Sequence, residues 1–390
     1  MSNGAGRSRV FLHVGSPKTG TTFLQSVLWS QRDRAAAQGL LLPGERFDDH
    51  YLATLDLRGL SGRPVHPLRS VGMWARLVAD ATAHRGTTLI SHELFAAATA
   101  DQAARGIADL HQGGAEVHVV LTARDLVRQL TAEWQEHVKH RSTKTLEQFV
   151  ADVRGDASRT SWFWQVQDFA GVLERWGATL PPDHVHVITV PPAGTPPAEL
   201  WQRFATLLGL DPAAFDTDLP RSNTSLGLEQ AELLRQVNAA LGDRLPLPGP
   251  YPLVVKNVLA HRILETYPGT KLALAPDDAA FAAEQSVAVA DRITALGIDV
   301  IGDLAELTPP APDSTDAAAG YQVPGADALL PQSVAAIADL LVVVNNRRKA
   351  QDLISQATDH PVRFALVQSA RTRPSLQRLL GLYRRLRARR

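Results

Sequence analysis

A chain of 390 residues with 45% hydrophobic side chains is long enough to bury a full core in one large or two smaller domains. It contains no cysteine, which excludes disulfides, thiol nucleophiles and thiolate metal sites. Its 40 basic and 40 acidic residues cancel, but nine arginines and no acid lie between Pro361 and Arg390, so the preceding 360 residues carry −9, and nucleic-acid binding has no support beyond that tail.

The polar stretch Met1 to Arg9 leaves no room for a signal peptide's apolar segment, and no later run reads as long enough to cross a membrane, so a cytoplasmic protein is expected. Val10 to Val14 reads as a strand. It runs into Gly15-Ser16-Pro17-Lys18-Thr19-Gly20-Thr21-Thr22 and then a helix carrying Phe23, Leu24, Val27, Leu28 and Ala35, ending near Gly39. Two glycines five positions apart let the backbone wrap, so that successive N–H groups and the first helical turn converge on an anion. Lys18 supplies the cation, in a chain that has six lysines against thirty-four arginines. Gly15 and Gly20 have the spacing of a nucleoside-triphosphate P-loop, but Thr21 follows Gly20 where lysine would stand, and no strand end offers an acid for Mg²⁺.

A short strand is expected at Leu40 to Leu42. Pro43 to Arg85, punctuated by Gly and Pro and rich in His and Arg, reads as a surface insertion with a helical run at Met73 to Ala83. Further strands follow at Thr87 to Ile90, ending in Ser91-His92-Glu93, at Val117 to Thr122, ending at Arg124, and at Val185 to Val190. Strands alternating with helices predict a parallel sheet covered on both faces, a three-layer α/β/α architecture, with the ligand crevice beyond the carboxyl ends of the strands. The Gly15 loop, the Ser-His-Glu triplet and Arg124 should therefore reach one cleft.

From Arg124 to Arg141 a helical wheel turns Val127, Leu130, Trp134 and Val138 to the core and Arg124, Arg128, Thr131, Gln135 and Lys139 to another stripe. His92 and Glu93 are the candidate general bases, with Glu93 preferred. Otherwise His92 is a hydrogen-bonded core histidine, and Glu93 caps the segment Leu94 to Ala100. Thirteen histidines include no H-x-x-x-H pair with a neighbouring carboxylate, so no metal is expected, and His13 reads as a core residue.

Pro17-Lys18-Thr19-Gly20-Thr21-Thr22 resembles the 5′-phosphosulfate-binding loop of the sulfotransferases that use 3′-phosphoadenosine 5′-phosphosulfate (PAPS). Their second signature is a strand-ending Arg with a Ser eight residues on, both on the donor's 3′-phosphate. Arg124 matches, whereas position 132 is alanine and Thr131 stands one residue early. The late unit Val185 to Leu210 and the segment Arg221-Ser222-Asn223-Thr224-Ser225-Leu226 resemble bacterial members. Arg221 is thereby a donor contact, or the segment is a helix cap at Asn223 or Ser225.

The resemblance spans roughly residues 9 to 305. It implies a P-loop-like sulfotransferase domain over residues 1–307, with PAPS as co-substrate and no metal, and with Lys18 neutralising charge on the bridging oxygen as an acceptor hydroxyl or amine attacks sulfur. The insertion at 43–86 and the stretch carrying Trp162 and Trp164 are the expected cover for a small-molecule, glycan or lipid acceptor, although core packing explains the tryptophans equally well. A proline-rich linker at 308–328 leads to a helical extension at 329–390, apolar from Leu329 to Val344. Its basic end, Leu376 to Arg387, reads as an amphipathic helix for a membrane surface or a partner, or as a solubilising tail. A P-loop kinase or NTPase and a non-catalytic protein of sulfotransferase fold remain as alternatives. High arginine, alanine and proline suggest a GC-rich bacterial source.

Overall fold

The computed structural model of the chain describes residues 8–63, 66–219, 225–308 and 322–359. Arg221, most of the proline-rich linker and the basic tail lie outside the described residues. Six strands, β1 (Arg9–Gly15), β2 (Leu40–Leu41), β3 (Thr87–Ser91), β4 (Glu116–Ala123), β5 (Val185–Thr189) and β6 (Asp299–Ile301), form one sheet in the order β2-β3-β1-β4-β5-β6, every neighbouring pair parallel. The register sets His13 level with Ser91 of β3 and Gly15 level with Leu121 of β4.

Alternation along β1 explains why helices cover both faces. Val10, Leu12 and Val14 enter one buried cluster, with Leu52, Leu77, Ile107, Leu130 and Trp134 from the helices above. Phe11 enters the other, with Leu24, Val27 and Leu28 of helix Thr21–Ser30 and Trp201 and Phe204 of helix Pro197–Leu207. Each of these side chains is withdrawn from water, which stabilises the fold by about 2 kcal/mol apiece. The result is the expected α/β fold with a central parallel sheet between helical layers and a helical C-terminal part.

Three features depart from the sequence reading. The stretch expected as a surface insertion supplies helices Asp49–Leu57 and Met73–Ala83, whose Leu52, Ala53, Leu55, Leu57, Met73, Trp74 and Leu77 lie in the main core. Its Gly and Pro residues mark the turns between helices rather than a loop. The three-residue edge strand β6 was not anticipated.

The third departure is helix Ala326–Asp359, whose segment Ala326–Gln351 is long and apolar enough, by length and composition, to cross a membrane, with mean hydropathy 1.7. Its Leu329, Ala336 and Val343 pack on the body, while Leu330, Val334, Ile337, Leu341 and Val344 are each more than half exposed.

The chain runs from β1 to β2 and β3 on one side of it, then returns to β4 on the other. The strand order therefore reverses between β1 and β4, the point at whose carboxyl ends open α/β sheets place their ligand crevice.

Candidate functional site at the carboxyl ends of β3, β1 and β4

The loop after β1 is shaped by two glycines with positive φ. Gly15 (φ 123°) lies so close to β3's continuation that a Cβ there would fall 2.8 Å from the carbonyl oxygen of Glu93. Gly20 (φ 86°) caps helix Thr21–Ser30, and a Cβ on it would meet Leu200 Cδ2 at 2.6 Å. Between them Lys18 adopts φ 64°, a left-handed conformation that costs a non-glycine residue about 1 kcal/mol and persists only where its surroundings enforce it. Gln129 and Gln167 do so by donating to the Pro17 carbonyl at 2.9 and 3.2 Å.

The Thr19 side chain turns inward, donating to Ser16 O at 2.6 Å and sharing a hydrogen bond with the Thr122 hydroxyl. Beneath it His13, fully buried, bonds Ser91 Oγ at 2.8 Å, and burial pushes its imidazole down to about 4. The expected core histidine thus underpins the loop. Among the described residues the backbone N–H groups of Lys18, Gly20, Thr21, Thr22 and Phe23 have no acceptor, whereas that of Thr19 closes the turn over Pro17 and Lys18. Four such donors are what any helix start leaves, and the loop adds the amide of Lys18. The Thr22 hydroxyl is half-buried and likewise without a partner among the described residues.

The Lys18 ammonium pairs with Glu136 of helix Leu126–Lys139. Glu136 also meets Lys256 Nζ at 2.7 Å, carried by the π-helix Pro252–Ile263, and His140 Nε2 at 3.1 Å. Burial opposes ionisation of Glu136, but His140 and the two ammonium groups outweigh it and hold the carboxyl well below the usual range. One turn earlier, Glu133 accepts from Gln167 Nε2 at 3.0 Å. The polar stripe that touches the loop is therefore Gln129, Glu133 and Glu136, not the stripe through Arg128 and Gln135 read from the sequence.

Glu133 has a side chain only 2% exposed, and its carboxyl is pushed up to about 7 by burial, with Lys18 opposing and Glu136 reinforcing the shift. Between the ordinary carboxylate pKa and about 7 the folded chain holds a proton here that the unfolded chain has released. This contribution to stability is complete at low pH and lost as pH rises through about 7. Glu133→Gln, which keeps an acceptor for Gln167, should raise stability relative to wild type by up to about 3 kcal/mol at pH 8 and by little at pH 5. Thermal melts at the two pH values check this, and an equal effect at both would refute it.

Arg124 follows β4 directly and stands at the same sheet end as the loop. Its guanidinium donates to the Arg128 carbonyl at 3.1 Å, its Nε is buried without a partner, and it has no carboxylate ion pair among the described residues. Burial, with Arg128 adding, lowers its pKa to about 10, so it stays charged at neutral pH. The acid that might have neutralised it, Asp125, instead caps helix Leu126–Lys139 by accepting from Arg128 N at 2.9 Å, and pairs with the Arg128 guanidinium. Thr131 is half-buried and donates to Arg128 O at 3.1 Å, which leaves its oxygen lone pairs, and no donor, for another group.

His92 and Glu93 follow β3, where the His92 N–H bonds His13 O at 3.1 Å. His92 Nδ1 accepts from Leu94 N at 3.2 Å and so caps the 3₁₀ turn Glu93–Ala97. The neutral ring then carries its proton on Nε2 and offers a donor, not a base, on that side. The Glu93 carboxylate has one oxygen, Oε2, buried with no hydrogen-bond partner. Burial works against its charge, yet His92 and the nearby polar groups of Gln25 and Thr21 hold it below the usual carboxylate range. Tyr51 lies against His92 at 5.4 Å between ring centroids, and Arg58 stands 5.9 Å from the ring of Trp162. Trp164 is core: it is buried and donates to Val153 O at 3.0 Å.

Ser16 Oγ, Glu93 Oε2, Arg124 Nε and Gln129 Oε1 are buried polar atoms without partners, and all four belong to this one end of the sheet. Native interiors seldom leave such atoms unpaired except where a ligand or water is to be met. A surface groove of about 800 Å³ opens elsewhere, between helix Pro197–Leu207 and β6, where Glu199 and Arg203 of its lining pair with each other and Asp299 pairs with His186.

No protein-family model matches the chain, and no curated protein matches it. Among solved structures it is similar to a sulfotransferase from Alicyclobacillus acidocaldarius, at 16% identity and a TM-score of 0.37, over 59% of this chain and 92% of that one.

Proposed function

We propose that this chain is a sulfotransferase that takes a sulfuryl group from PAPS to a hydroxyl or amine acceptor. The observation that carries the reading is the set of five unclaimed amides, Lys18 and Gly20 to Phe23, with the Lys18 ammonium on the same loop. Such a set suits the 5′-phosphosulfate, and Arg124, a fork of donors with no acid to neutralise it, suits the 3′-phosphate on the next strand. Thr19 supports the loop through its side chain and the turn it closes.

In the reaction so assigned, Glu93 accepts the proton of the acceptor as the new bond to sulfur forms. The bond from sulfur to the bridging oxygen breaks, and its electron pair stays on the phosphate, where Lys18 and the loop amides stabilise it. Tyr51, Arg58 and Trp162 border Glu93 and His92 and are the proposed acceptor wall. For this role Lys18 must leave Glu136, which Lys256 continues to neutralise.

The test is a nucleotide comparison by calorimetry. Wild-type protein should bind 3′-phosphoadenosine 5′-phosphate about 10- to 100-fold more tightly than ADP, and Arg124→Ala should bring the two affinities to within about twofold. Equal binding of the two nucleotides by the wild type would overturn the reading, and tighter magnesium-dependent binding of ATP would favour a kinase or NTPase.

A further inference from the structure

The amino-terminal end of the same sheet holds a cluster that the proposed reaction does not use. β4 opens with Glu116 and, two residues on and on the same face, His118; β5 is entered through His184, last residue of the turn Pro182–His184. One ligand atom from each of Glu116, His118 and His184 can be chosen so that all lie within 4.8 Å of one another. The two imidazoles stack at 4.2 Å between centroids, and His118 Nε2 faces Glu116 Oε1 at 3.0 Å.

The other nitrogens of these rings are already committed, and the commitments fix where the lone pairs point. His184 Nδ1 lies 3.1 Å from the Val117 carbonyl, which can only accept, so Nδ1 bears the proton and Nε2 is free to ligate. His118 Nδ1 lies 2.9 Å from His186 Nε2, and His186 Nδ1 lies 2.7 Å from Asp299 Oδ2. Counting from that carboxylate, His186 donates through Nδ1 and accepts from His118 Nδ1–H, which turns the His118 Nε2 lone pair toward Glu116. Two acceptors then face each other 3.0 Å apart, with Arg9 Nε 3.3 Å from the same carboxylate oxygen, an arrangement that a shared cation, whether a proton or a metal ion, resolves.

We infer that Glu116, His118 and His184 form a binding site for a zinc-class divalent transition-metal ion, oriented through His186 and Asp299. Two imidazole nitrogens with one carboxylate favour zinc over magnesium or calcium, which prefer all-oxygen shells, and they leave a coordination position for water. The paired outer contacts, carbonyl to one histidine and carboxylate–histidine to the other, are those that hold metal-binding imidazoles in place. The site bridges β4 and β5 at the end opposite Lys18, so the ion would clasp two central strands and take no part in sulfuryl transfer.

Zinc alone, titrated into the full chain against a chromophoric chelator, should bind at about one ion per chain. His118→Ala with His184→Ala should weaken that binding at least about 100-fold, and Asp299→Asn about tenfold. Cobalt in place of zinc should give a visible d–d absorption that the double variant lacks. His184→Gln, which alters only a half-buried ring ahead of the strand, repeats the loss where the double variant fails to fold. No binding by the parent chain, or unchanged binding in a folded variant, would overturn the assignment.

Discussion

Lys18→Ala is expected to lower kcat/KM for the proposed transfer from PAPS by about 10³-fold, while binding of 3′-phosphoadenosine 5′-phosphate falls far less. Negative charge grows on the bridging oxygen only as the sulfuryl group departs, so an ammonium beside it stabilises the transition state more than the bound donor. A 10³-fold loss corresponds to about 4 kcal/mol, the scale of one donor removed from a preorganised, water-excluded site. Glu136 remains paired with the Lys256 ammonium in the variant, so the substitution does not strand a buried charge, and thermal stability should change little. Single-turnover kinetics with product-release controls read the chemical step. A variant with undiminished turnover would remove Lys18 from the reaction and favour the non-catalytic reading.

β1, its loop and the strand ends at Ser91 and Arg124 were legible because each rests on local chemistry. Apolar runs of strand length end in glycine or polar residues, and Gly15 and Gly20 stand where the backbone needs positive φ. The Gln129, Glu133 and Glu136 stripe was not legible. A wheel begun at Arg124 sorts apolar from charged residues, but the helix begins at Leu126, capped by Asp125, and its phase decides which polar stripe meets the loop. A signal was present: two glutamates three apart, one turn after a glutamine, in a chain with few lysines to pair them.

Helices Asp49–Leu57 and Met73–Ala83 were misplaced for a related reason, since their burial is decided by the sheet face they cover and not by the turns that bound them. The proposed metal cluster escapes a search for histidines four apart because Glu116 and His118 stand two apart on one strand and His184, in the turn before another, is sixty-six residues from His118. Length and hydropathy of Ala326–Gln351 were readable from the composition and were passed over because its charged continuation drew the boundary too early.

Glu93→Gln and His92→Asn separate the two candidate bases, and the expected outcome is that Glu93→Gln loses about 10²- to 10⁴-fold in kcat while His92→Asn stays within a few-fold of wild type. Asparagine is a good cap, so His92→Asn keeps an acceptor for the Leu94 N–H and removes only the imidazole. Glutamine at 93 keeps the shape beside Thr21 and Gln25 but cannot take a proton. The pH profile follows from the same contacts. A base must be deprotonated to act, and Glu93 is held below the ordinary carboxylate range, so kcat/KM should be flat through neutrality and fall only as pH drops toward and below about 4.5. In Glu93→Gln that acid limb should vanish along with the rate. A large loss in His92→Asn with activity retained in Glu93→Gln would transfer the role to histidine and require His92 to release the Leu94 N–H before it could act.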